Sequence, residues 1–180
     1  MSAVSRMIPL LALAGAVVAS VVPAAAAGKT DKPTVLGTVK SWTAYTRTTP
    51  DGKVCYALSK PASSNPQKIK RDPVYVLIND WPARKVKGEI QIVPGYPYRE
   101  GAPVTATVGK LSVDFFSKND GGAGSAWVKD PADEGKLLNA MRKGSKLVVS
   151  GTSKRGANTK DTYSLSGLSG ALDKMRQVCK

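Results

Sequence analysis

The side chains that most often carry catalysis are sparse in this sequence. Histidine is absent from all 180 residues, which removes imidazole general bases, Ser-His-Asp and Cys-His nucleophile activation, and imidazole metal ligands in one step. The 13 carboxylates are scattered along the chain, with no pair or cluster that suggests acid-base work or a metal cage. Asp130, Asp133 and Glu134 are better explained as the start of a helix. Lys160 lies near Ser164 and Ser166, the residue types of a Ser-Lys nucleophile, but nearness in sequence does not fix geometry. Neither a G-x-x-x-x-G-K-[ST] loop nor a strand-linked G-x-G-x-x-G occurs, so the familiar phosphate-cradling loops are absent. The residues therefore describe a protein that is not an enzyme and uses no cofactor or metal.

Cys55 and Cys179 are the only cysteines, and the amino terminus decides how they are read. Arg6 precedes an apolar run over residues 7–22, broken only by Pro9 and Ser20, and small residues follow at 23–27. That order is a Sec-type signal peptide, with cleavage after Ala27 satisfying the A-x-A rule through Ala25 and Ala27. The run is shorter than the roughly 20 residues needed to span a bilayer, so no transmembrane anchor is expected after cleavage. The expected organisation is a signal peptide over 1–27, a flexible leader over 28–34 and one β-sandwich domain over 35–180. Its expected location is the periplasm, with outer-membrane association or secretion as further destinations. In that oxidising space Cys55 and Cys179 are expected to form a structural disulfide, since a C-x-x-C redox spacing is absent. For a loop this long the chain-entropy model gives about 4 to 5 kcal/mol.

Short β-prone runs alternate with turn residues at 35–45, 54–59, 74–78, 89–93, 104–108, 111–116, 126–129 and 146–150, which predicts strands through the middle of the chain. Thr49-Pro50-Asp51-Gly52 and Gly109-Lys110 read as tight turns between antiparallel neighbours. Residues 61–71 and 120–124 read as longer surface loops, the second flexible enough to change shape on binding. A helix is predicted from Asp130 as cap and Pro131 as first residue, through Leu137, Leu138 and Met141, to a left-handed stop at Gly144. A second is predicted over 167–177, because Leu168, Ala171, Leu172 and Met175 follow helical spacing and Ser166 can cap it. Strands with two late short helices predict a mostly β fold, an antiparallel sandwich or partly open barrel.

Lys and Arg number 27, for a net charge of +14. They cluster at Lys68-Lys70-Arg71, Arg84-Lys85-Lys87, Arg142-Lys143-Lys146 and Lys154-Arg155, beside predicted loops or helix ends. A basic face of this kind attracts anionic lipid headgroups, lipopolysaccharide, peptidoglycan carboxylates or host glycans, although each cluster alone is also what a solvated surface looks like. Export and the lack of a recognition helix or aromatic RNA platform argue against nucleic acid. A client protein added to a strand edge is the other partner class. Tyr96-Pro97-Tyr98 sits in a Gly-Pro loop where the rings have the chemistry to stack on a sugar or peptide, or simply to pack. The expected contact surface comprises Lys154, Arg155 and Lys160 first, then Tyr96 and Tyr98, with Arg84, Lys85 and Lys87 as a further basic group.

An ordered set of short segments carries a family resemblance: Ser41-Trp42, Val54-Cys55-Tyr56-Ala57, Gly95-Tyr96-Pro97-Tyr98, Ala126-Trp127, residues 140–144, 151–156 and 161–167, then Ala171-Leu172 and Cys179. Together they resemble the invasion-associated locus B (IalB) family of alphaproteobacteria, over almost the whole chain beyond residue 42. The resemblance implies an exported envelope protein with an immunoglobulin-like β sandwich. It also implies an association, in some pathogens, with entry into host cells, and no established catalytic residues.

Overall fold

Period-two alternation of small apolar residues builds one antiparallel sheet, and its curvature makes the sandwich. The computed structural model describes residues 32–67 and 69–180; the expected signal peptide and most of the leader lie outside them. The strands are β1 (Thr34–Val39), β2 (Trp42–Thr49), β3 (Gly52–Ser59), β4 (Ser63–Asn65), β5 (Tyr75–Trp81), β6 (Val86–Val93), β7 (Val104–Val108), β8 (Leu111–Asp120), β9 (Ala123–Val128), β10 (Lys146–Thr152) and β11 (Asn158–Ser164). The helices are α1 (Pro131–Lys143) and α2 (Leu168–Val178). All eleven strands join one sheet in the order β1-β2-β3-β5-β6-β9-β8-β7-β10-β11-β4. A sheet this long does not stay open, because strand twist accumulates until the layers face each other. Here Trp42 Nε1 donates to Ser164 O at 2.9 Å and Ser41 N to Ser166 O at 3.2 Å, so β2 meets the end of β11.

The inward residues of both layers form one core, including Trp42, Ala57, Ile78, Ile90, Leu147 and Tyr163, each fully buried. The outward aromatics stack across neighbouring strands, Tyr45 on Tyr56 at 5.0 Å and Phe116 on Trp127 at 5.7 Å between ring centroids, which favours those pairings. Leu168, Ala171, Leu172 and Met175 bury the apolar stripe of α2 against β1, β2 and β3. Cys55 and Cys179 are disulfide-bonded, with 5.9 Å between their Cα atoms, fixing the end of α2 to β3.

The sandwich and its two helices are as the sequence leads one to expect; several details differ. The run at 35–45 is a hairpin, turning at Lys40-Ser41 so that Val39 pairs with Trp42. The segment 120–124 is not a long loop. Gly121 and Gly122, at φ 59° and 148°, make a two-residue turn that pairs Asp120 with Ala123, a conformation that glycine adopts without steric cost. β4 lies within the stretch expected to be a loop, and β11 is a strand that the β-prone runs do not include. α1 is capped by Asp130, whose Oδ1 accepts from Ala132 N at 2.9 Å, but Gly144 is extended (φ −83°) rather than left-handed. α2 starts at a left-handed Gly167, where a Cβ would overlap the Val39 carbonyl, and it has no side-chain cap from Ser166.

α1 is tied to the sheet by Glu134, whose Oε1 accepts from Ile90 N at 2.6 Å. Burial holds the Glu134 carboxyl above its ordinary range, and the Ile90 hydrogen bond only partly offsets this. A raised folded-state pKa means that the folded protein binds this proton more tightly than the unfolded chain. The penalty is therefore present at neutral pH and lifts as pH falls through the raised value toward the ordinary 4.5. Glu134→Gln keeps an acceptor for Ile90 N and removes the titration. In urea unfolding, wild type should gain stability relative to this variant between pH 7 and pH 4.5; an unchanged difference would show that the carboxyl carries no burial penalty.

Candidate functional site

A four-residue turn between β10 and β11 presents two of the predicted contact residues. Gly156 N donates to Ser153 O at 2.8 Å, Ser153 N to Ala157 O at 2.9 Å, and Ala157 N to Ser153 Oγ at 3.0 Å. Lys154 and Arg155 occupy the two apical positions and are exposed. The turn is fixed against the segment after β6: Lys154 N donates to Pro97 O at 2.7 Å and Arg99 N to Thr152 O at 2.9 Å, while Tyr98 bridges Ser153. Asn119, at the end of β8, clamps the same segment from the other side. Its Oδ1 accepts from Tyr98 N at 2.8 Å and its Nδ2 donates to Tyr98 O at 2.9 Å.

The third wall comes from residues 69–72, which precede β5. Asp72 N donates to Gly95 O at 2.9 Å. Arg71 turns inward and grips Asp161 with both arms, Nη1 to Oδ2 at 2.9 Å and Nη2 to Oδ1 at 2.5 Å; Nη1 also donates to Pro94 O at 3.3 Å. The two side chains are only 8% and 3% exposed, and the Asp161 hydrogen bonds hold the Arg71 guanidinium above its usual pKa. Arg71 thus belongs to the architecture. Its neighbour Lys70 is exposed.

Between these walls lies a groove of about 820 Å³, with Lys70, Asp72, Pro97, Lys154, Arg155 and Gly122 of the β8–β9 turn among its lining. It unites two of the four basic clusters, which are 83 residues apart or more in sequence when counted from Arg71 to Lys154. The remaining basic groups lie elsewhere. Arg84, Lys85 and Lys87 sit at the opposite end of β6 from the groove, where Arg84 pairs with Asp51 at 3.0 Å and lies over Trp81, 4.9 Å from the ring centroid. Arg142 and Lys143 end α1, and Lys146 begins β10, again remote from the turn at Lys154. The cations are therefore divided between the two ends of the sandwich rather than gathered on one face.

Tyr96 and Tyr98 do not form the expected stacking surface. They are 8% and 1% exposed, packed edge to face at 5.5 Å, with Tyr96 OH and Thr159 Oγ1 2.6 Å apart. Burial raises both phenol pKa values. The Gly-Pro context signals a loop correctly, but the rings turn into the core, and only Tyr96 borders the groove. Lys160 also departs from expectation: it lies on β11 beside Asn65 and Ser150, lining a separate, smaller depression. Ser164 is four strand positions away, about 13 Å at strand rise, and its Oγ accepts from Ser166 N, so no Ser-Lys pair is assembled. Among the described residues no group of three metal-ligating side chains occurs and no helix is long and apolar enough to cross a membrane.

Asp161 and Asn119 are the site residues that the sequence reading missed. A period-two signal was present in Thr159-Asp161-Tyr163, all three inward and buried, but an aspartate in a polar run reads more naturally as a turn residue.

The fold and groove define an antiparallel β-sandwich protein with a cation-lipped cleft between loops at one end. A family model described as "Invasion associated locus B (IalB) protein" matches residues 42–176, and the chain belongs to that family. Among solved structures, the crystal structure of invasion associated protein b from Bartonella henselae superposes with a TM-score of 0.52, at 18% sequence identity, covering 79% of this chain and 96% of that one. At that identity the likeness establishes a shared fold. No curated protein matches the chain.

Proposed function

We propose that this IalB-family chain is an exported envelope protein that acts by binding, without catalysis, and that it contacts anionic envelope or host-surface components through the groove end of the sandwich. The observation that carries this reading is the meeting of Lys70, Lys154 and Arg155 around one cleft. Clustered like charge with little opposing charge raises the local concentration of anionic partners. Export is supported by the signal-peptide pattern and by the Cys55–Cys179 bond, which persists in oxidising compartments. Client binding by strand addition has less support, since both sheet edges are of the kinds that discourage pairing: β4 has three residues and β1 shifts register between Val35 and Gly37.

The test is retention of the purified protein on lipopolysaccharide, peptidoglycan and anionic vesicles across a salt series. Retention on at least one of them should be strong at low salt and fall steeply near 0.15 M, where screening acts over about 8 Å. Absence of salt-sensitive retention on all three would remove the proposal.

A further inference from the structure

We infer that the groove is a binding site for an acidic glycan, a sugar chain bearing carboxylate or phosphate groups, held between Lys70 on one lip and Lys154 with Arg155 on the other. This rests on the proposed binding role and names the ligand class for its site. Charge is the first ground. Three exposed cations line the cleft against the carboxylate of Asp72, while Arg71 is already neutralised by Asp161, so the cleft complements an anion contacted from two sides. A chain bearing more than one anionic group can engage both lips at once.

The state of the walls favours a glycan over an acidic peptide. Extended peptides dock by pairing with unbonded backbone. Here part of the wall backbone is already engaged: the N–H groups of Asp72, Gly122, Ser153, Lys154 and Ala157, all lining the groove, donate within the protein. The cationic side chains stand beside apolar lining that includes Ile69, Pro97 and Ala157, a combination that suits anionic sugar rings, which carry charge and apolar C–H faces together. A membrane surface is disfavoured for a different reason. Basic surfaces that dock on bilayers place large apolar side chains beside their cations, and the exposed large apolar residues among those described, Val35, Phe116 and Val178, do not line the groove.

The experiment titrates the purified protein with polygalacturonate, with a lipid-free phosphorylated core oligosaccharide, with neutral dextran, with polyglutamate, and with vesicles of phosphatidylglycerol and phosphatidylcholine. It compares wild type with Lys70→Glu/Lys154→Glu/Arg155→Glu and with a charge-matched control, Arg142→Glu/Lys143→Glu/Lys146→Glu. Wild type should bind one or both acidic glycans but not dextran, with carboxylate or phosphate preference read from the first two arms. The groove variant should lose roughly 100-fold in affinity, from about a fivefold contribution for each of the three lost cations, and the control less than about threefold. A near-ultraviolet circular dichroism spectrum unchanged from wild type shows that the groove variant is folded; were it changed, Lys70→Gln/Lys154→Gln/Arg155→Gln replaces it in the same comparison. Equal losses in groove and control variants would overturn the site. Tighter binding of polyglutamate or of vesicles than of either glycan would overturn the ligand class. Salt-sensitive binding that survives in all variants would leave the envelope role standing without this groove, whereas no binding in any arm or to whole envelope material would remove the role itself.

Discussion

Replacing Cys55 and Cys179 together by alanine is expected to lower the unfolding free energy by about 4 to 5 kcal/mol, a large share of the roughly 5 to 15 kcal/mol typical of a domain. The cross-link joins residues 124 apart, so its loss frees nearly the whole domain in the unfolded state. In the folded state it also releases the end of α2, whose first turn is otherwise held through Leu168, Ala171 and Leu172. Equilibrium unfolding in urea, with reduced wild type as a second reference, measures the effect. A difference under about 1 kcal/mol would show that the apolar stripe of α2 secures the helix alone and that the unfolded chain gains little freedom from the break.

The next largest effect is expected from Asp161→Asn. Removing one partner of a buried ion pair leaves the other charge uncompensated in a poorly solvated place, which costs about 3 to 5 kcal/mol. Among the described residues, the other hydrogen-bond partner of Arg71 is Pro94 O, not a second carboxylate. At this chain length the loss corresponds to a fall in Tm on the order of 10 °C. Because Arg71 anchors residues 69–72 to β11, the same variant should displace Lys70 and weaken glycan binding while Lys154 and Arg155 stay in place. Substituting both partners, as Arg71→Met with Asp161→Leu, should recover much of the stability, since apolar replacement of a buried pair is often neutral or better. If Asp161→Asn unfolds within about 1 kcal/mol of wild type, the pair is solvated enough to be dispensable.

What the sequence revealed followed from how local each signal is. β7 over Val104–Val108, the turns at Pro50-Asp51 and Gly109-Lys110, the Asp130 cap and the stripe of α2 are each set by residues within one element, and each is found where expected. The disulfide was legible because a sequence read as exported, with two cysteines, leaves one pairing. β11 was hidden because its inward positions are Thr159, Asp161 and Tyr163, polar residues that become core only through partners 90 and 63 residues away, Arg71 and Tyr96. The groove was half visible: Lys154 and Arg155 stood out as a basic turn, but Lys70 joins them through long-range pairing that no local window contains. Tyr96 and Tyr98 show the reverse error, a loop identified correctly and its rings placed on the wrong side.

The order of strands has a consequence for when the fold can exist. The seam that shuts the sandwich runs from Trp42, on the second strand, to the carbonyl of Ser164, 122 residues later, and the wall that receives it is made by the last two strands to leave the ribosome or a translocation channel. Until those residues emerge, Trp42 lacks the carbonyl it bonds and the seam between the two ends of the sheet stays open. A stalled or truncated chain ending before β10 should therefore be cut by protease faster than the whole domain, since it lacks both the closing seam and the cover that α2 gives β1, β2 and β3.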